Sequence, residues 1–113
     1  SGIKECIEYI EKGYSVALMI DQRLGEGDRI KFFSKTAHTT SLPAQLSLKY
    51  NLNVVPIFIE REHKDSFKMK IYEPINTSNF KNKSEITLKL NEVLENMIMK
   101  NPNQWIWTHD RWK

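Results

Sequence analysis

The chain has 113 residues, enough for one domain with a modest core. An apolar fraction of 40% argues against disorder, and a net charge of +3 is too small a surplus for a nucleic-acid footprint. The longest apolar runs, residues 16–20 and 54–59, are too short to span a bilayer, and the mixed charges of residues 1–12 do not read as a secretory signal.

In chain order, Ile3, Ile7 and Ile10 recur at a helical period, and Gly13 is a natural stop. The single cysteine, Cys6, sits among these isoleucines; it reads as a half-buried, inert thiol in a reducing compartment. Residues 15–20 form a compact apolar run that predicts a buried strand. Residues 21–29 are polar, contain Gly25 and Gly27, and predict a loop, followed by a short extended piece at residues 30–33. Ser41 suits a cap and Pro43 the first turn of a helix running to about Tyr50.

Residues 54–60 predict a second buried strand. Phe67, Met69 and Ile71 then alternate with Lys68, Lys70 and Tyr72, the period of a strand with one wet face. The link of residues 61–66 is short enough for an antiparallel hairpin. From Ser84, the residues Ile86, Leu90, Val93, Leu94, Met97 and Ile98 fall on one helical stripe, ended by Asn101-Pro102. This order predicts an α/β fold: a partial mixed sheet flanked by helices. The strands at residues 15–20 and 54–60 would form a parallel crossover pair, with an antiparallel hairpin strand beside the second.

Asp21, Gln22 and Arg23 leave a predicted strand and open a glycine-containing loop, the place where α/β sheets hold ligands. The same position suits an Asp21 that merely caps a turn, and position alone leaves both readings open. Gly25-Glu26-Gly27 lacks the Gly-Lys-Ser/Thr of a phosphate loop. His38, His63 and His109 are scattered without metal-ligand spacing, so no metal is expected, and His38 and His63 read as solvated. Of the locally basic stretches, residues 64–70 and 81–83 read first as solubilising lysines and second as lipid-headgroup contacts. Trp105, Trp107 and Trp112 fall within eight residues, which implies packing or an interface. Trp105 is expected in the core against the last helix, and Arg111 in a charged contact. For Trp107 and Trp112, core closure and a membrane-interface role both stay open.

Pro102, Gln104, Trp105, Trp107, His109, Arg111, Trp112 and Lys113 together resemble the C-terminal signature of the lipid A biosynthesis acyltransferases. Asp21-Gln22, Phe32-Phe33, Ala37, Thr40 and Val54-Val55-Pro56 match further blocks of that family in order, while Ser34 replaces its usual glycine. The resemblance covers nearly the whole chain. It implies the C-terminal half of a glycerolipid-acyltransferase-like fold, with the catalytic half and a membrane anchor upstream. The family's His-x-x-x-x-Asp/Glu motif does not occur: five residues after His38 stands Pro43, five after His63 stands Lys68, and His109 has no residue at that offset. The chain therefore reads as a truncation, or else as a degraded remnant, inactive alone.

For the full enzyme the resemblance implies transfer of a fatty acyl chain from acyl carrier protein to a lipid A precursor, without a further cofactor. The reaction would take place at the cytoplasmic face of the bacterial inner membrane. It implies Asp21, Gln22 and Arg23 near the acceptor, with Arg23 suited to a phosphate. Phe32 and Phe33 would lie along an acyl groove or in the core, and His109 and Arg111 would join the substrate site from the tail. Expected partners are acyl carrier protein, the lipid precursor and the membrane surface, with no nucleic acid. The isolated piece is expected to self-associate through residues 15–20. Two alternatives stay open: a non-catalytic lipid-surface or protein-binding module, and an acyltransferase for another lipid acceptor.

Overall fold

The computed structural model describes residues 2–107 and 110–113. Its elements are α1 (Gly2–Glu11), β1 (Asp28–Phe32), β2 (Lys35–Thr39), α2 (Leu42–Tyr50), β3 (Ile57–His63), β4 (Ser66–Ile71) and α3 (Lys83–Lys100), with single tight helical turns at Thr77–Asn79 and Pro102–Gln104. Helices and sheet are mixed, as the sequence pattern implies. The sheet arrangement is not the expected one. Among the described residues two separate two-stranded antiparallel sheets form, β1 with β2 and β3 with β4.

Residues 15–20 make no strand, which removes the predicted parallel crossover. A strand exists only where a neighbour takes its N–H and C=O groups, and among the described residues none pairs with this run. Met19 is 84% exposed, and the run is tied down at Ile20, which packs on the Ala44–Ile86–Leu90 cluster. The start of the second predicted strand is likewise displaced. Val54 makes one isolated bridge to Ile75, and regular pairing begins only at Ile57.

Gly13 ends α1 as expected, at φ 89°, with its N–H donated to Ile10 O. No residue of α1 is fully buried, so its isoleucine stripe contributes little to the core. In α2, Pro43 fills the first turn; Ser41 sits at the cap position, but its hydroxyl accepts from Gln45 Nε2 at 2.7 Å rather than capping. Asn51 closes α2 in the left-handed region at φ 52°. In α3 the cap is Asn82, whose side chain accepts from Glu85 N–H at 3.0 Å, while Glu85 accepts from Lys81 N–H at 2.7 Å.

The β1–β2 hairpin escapes the sequence pattern because Lys35–Thr39 is mostly polar. Its inward positions are Ala37 and Thr39, and both are buried. Its two-residue turn, Phe33-Ser34, has both residues at positive φ, 51° and 66°. Tight hairpins need that geometry to match strand twist, and glycine adopts it most cheaply. The tight turn therefore forms although Ser34 stands in place of the glycine. Gly27 is required for a different reason: a Cβ there would lie 2.7 Å from Thr39 O and 2.8 Å from Thr39 N.

α3 joins the parts. Ile98 packs with Phe32 and Ala37 in one cluster, and Ile86 and Leu90 pack with Ala44 in the other. The β3–β4 hairpin attaches at its edge. Gln104 Nε2 donates to Ile59 O at 2.7 Å and its Oε1 accepts from Arg61 N–H at 2.8 Å, so one side-chain amide imitates a neighbouring strand.

Candidate functional site

The site grows from the β1–β2 hairpin and the C-terminal tail that closes over it. Phe32 is at its centre, with no accessible surface. Trp112 stacks on its ring at 5.6 Å and 19°, Trp105 meets it edge-on at 5.7 Å, and Phe33 lies at 4.7 Å. Trp112 Nε1 donates to Phe32 O at 3.1 Å, which satisfies the indole as its ring is covered. Phe32 is thus a core residue rather than a groove wall. Phe33 is half-buried and held by its backbone, whose N–H donates to Glu95 Oε1 at 2.6 Å.

Arg111 is fully buried. Its guanidinium carbon stands 4.4 Å from the centre of the Phe32 ring, and Nη2 donates to Thr39 Oγ1 at 3.0 Å and more weakly to His38 O at 3.4 Å. The backbone is knitted in as well, since His38 N–H donates to Arg111 O at 3.0 Å. The expected charged contact is therefore a cation over an aromatic face, bonded to neutral oxygens. Nε and Nη1 have no hydrogen-bond partner among the described residues. Burial lowers the Arg111 pKa from its ordinary value, and the carboxylate of half-buried Asp21 opposes that shift.

Two further buried polar atoms nearby, His38 Nδ1 and Asn91 Oδ1, have no partner among the described residues. Asn91 donates from Nδ2 to Lys31 O and Thr39 Oγ1, at 3.1 and 3.3 Å. His38 is half-buried rather than solvated as expected. Thr39, Asn91 and Glu95 were not legible as site residues, because a lone threonine in a polar strand and polar residues along a helix carry no periodic signal.

Of the residues proposed from sequence, Asp21 acts on Arg111 through its charge, and Arg23 Nε reaches the tail by donating to Lys113 O at 2.8 Å. Gln22 and Arg23 are exposed. His109 lies outside the described residues. The Asp-Gln loop, the Phe-Phe turn and the Arg-Trp-Lys tail, ninety residues apart at their extremes, meet in one place. No group of three or more His, Cys, Asp or Glu side chains among the described residues could hold a metal.

The family model for bacterial lipid A biosynthesis acyltransferases matches residues 1–113. The chain belongs to that family. For a member of the lipid A acyltransferases, acyl transfer in lipid A biosynthesis is the activity the family carries. The comparison with curated proteins gave no match. No helix among the described residues of this acyltransferase-family chain is long and apolar enough to cross a membrane.

Proposed function

We propose that this chain is the C-terminal part of an enzyme that transfers a fatty acyl group from acyl carrier protein to a hydroxyl of a lipid A precursor, at the cytoplasmic face of the inner membrane. The observation that carries this reading is the convergence of the Asp-Gln loop, the Phe-Phe turn and the tail, in a chain matched along its length by the acyltransferase family.

The chemistry needs a base to take the acceptor's hydroxyl proton. The oxygen attacks the thioester carbonyl, the C–S bond breaks, and the carrier thiol leaves with a proton. A His-x-x-x-x-Asp/Glu pair suited to that task is absent from this sequence, so the base and its acidic partner belong to an upstream part of the polypeptide. The residues here serve the acceptor side. Gln22 and Arg23, which follow Asp21 in the chain, present an amide and a guanidinium at the surface, the guanidinium tied by Nε to Lys113 O. A guanidinium there attracts an acceptor phosphate. Phe33 offers a half-buried apolar wall beside Trp107, whose ring centre is 5.8 Å away.

The test is an acyl-transfer assay with acyl-loaded carrier protein and lipid A precursor. The 113-residue chain alone should give no product, and a polypeptide joining it to an upstream half bearing the His-acid motif should give transfer. Turnover by the chain alone, or silence from the joined polypeptide, would overturn the reading.

A further inference from the structure

The β3–β4 hairpin gathers positive charge on one face, away from the Arg111 site. Phe58 pairs with Lys70 and Glu60 with Lys68, so these side chains share a face. Tyr72 follows on the same face, and Lys100, the last residue of α3, closes its end. These six residues line an open concavity of about 190 Å³. Three ammonium groups face one carboxylate there, leaving a surplus of two positive charges.

The lysines are drawn together rather than spread. Lys100 Nζ donates to the Tyr72 hydroxyl at 2.9 Å. The ammonium groups of Lys70 and Lys100 lie 4.8 and 5.1 Å from the centre of the same Tyr72 ring. Two like charges sharing one ring repel, and the ring and hydroxyl offset only part of that. The hydroxyl bond keeps Lys100 protonated, raising its pKa above the ordinary lysine value. An entering anion relieves the remaining repulsion. A phosphate group fits best: it is compact, carries more than one charge at neutral pH, and has enough oxygens to accept from three ammonium groups and a phenol together. A carboxylate has only two oxygens to offer. Lysine binds phosphate as a point charge and does not require planar geometry.

We propose that this concavity is a binding site for a phosphate monoester, carried either by a soluble compound or by a lipid headgroup that ends in the phosphate. It lies outside the residues assigned to acyl transfer and stands independently of that reading. Inorganic phosphate is the probe, titrated into the full 113-residue chain and followed by NMR. The signals of Lys68, Lys70, Tyr72 and Lys100 should shift together and saturably. Lys70→Gln combined with Lys100→Gln should weaken binding about tenfold. Glu60→Gln should tighten it, because the one opposing charge is gone, and Lys64→Gln, outside the concavity, should leave it unchanged. Vesicles of phosphatidylcholine with phosphatidic acid separate the sources. If they compete with phosphate and pure phosphatidylcholine does not, the group is a lipid headgroup; if phosphate binds without such competition, it is a soluble ester. Absence of a saturable shift, or equal binding in the double variant, overturns the proposal.

Discussion

Arg111 and Phe32 are both fully buried, and the guanidinium of one lies 4.4 Å from the ring centre of the other. A buried cation is tolerated only when its surroundings answer its charge. Here the answer is the ring, two neutral oxygens and the field of the Asp21 carboxylate, while two guanidinium nitrogens have no partner among the described residues. Asp21→Asn should therefore destabilise the fold by about 1 kcal/mol through loss of that field. In an Arg111→Met background the same change should cost almost nothing. A urea double-mutant cycle reads the difference, and equal costs in both backgrounds would show that the two residues do not interact.

The burial of Arg111 also fixes a pH expectation. Its pKa is lowered in the folded state, so the unfavourable term for burying the charge is fully present below the folded pKa and is relieved only as pH rises through it. Arginine titrates far into the alkaline range, so this term should be flat across neutral pH. Wild type and Arg111→Met should show stability profiles of the same slope between about pH 6 and pH 9. A slope difference in that window would point to a different coupled group.

The turn at Phe33-Ser34 places two side-chain-bearing residues in the left-handed region. Ser34→Gly should raise stability by about 1 kcal/mol, visible as a higher Tm, since glycine takes that backbone without the Cβ penalty. Phe33 should not tolerate the same change. Its ring packs on Phe32 and Trp107, and its N–H is held by Glu95 at 2.6 Å. A Tm unmoved or lowered in Ser34→Gly would mean the turn differs in solution.

Much of this was legible in the sequence. Ile86, Leu90, Met97 and Ile98 mark the buried stripe of α3, and the alternation of Phe67, Met69 and Ile71 marks β4. The β1–β2 hairpin was half hidden, because Lys35 and Thr36 are exposed and the buried Thr39 is polar. The misplaced strand at residues 15–20 has another cause. Apolar composition signals a preference for a pleated, buried place, but not the presence of a partner. Arg111 was singled out by its motif, yet its complete burial has no signature in local pattern, since it depends on Thr39 and Phe32 more than seventy residues away.

Gln104 and Trp105 divide the work of the tail. Trp105 is half-buried against the Phe32–Ala37–Ile98 cluster, and Trp105→Ala should cost about 3 kcal/mol, the low end for a large aromatic because part of the ring is exposed. Gln104→Ala should cost less globally but free the β3 edge. Faster hydrogen exchange at Arg61, whose N–H donates to Gln104 Oε1, is the readout. Unchanged exchange there would show that the side-chain amide does not hold the edge.

The face of the β3–β4 hairpin opposite the basic concavity carries Ile57, Ile59, Phe67, Met69 and Ile71, each between 49% and 65% exposed. A contiguous apolar face of this kind rarely stays bare on a monomer. It, rather than an edge at residues 15–20, is the surface through which two copies of this chain should meet, because a two-fold contact buries the same patch twice. Sedimentation velocity at micromolar concentration should show species heavier than the 13.4 kDa monomer. Ile59 and Met69 are directly paired across the hairpin, so Ile59→Lys with Met69→Lys places charge at the centre of the patch and should restore the monomer. Changing exposed Met19 to Lys should do so far less. A wild-type chain that remains monomeric on concentration would refute the association.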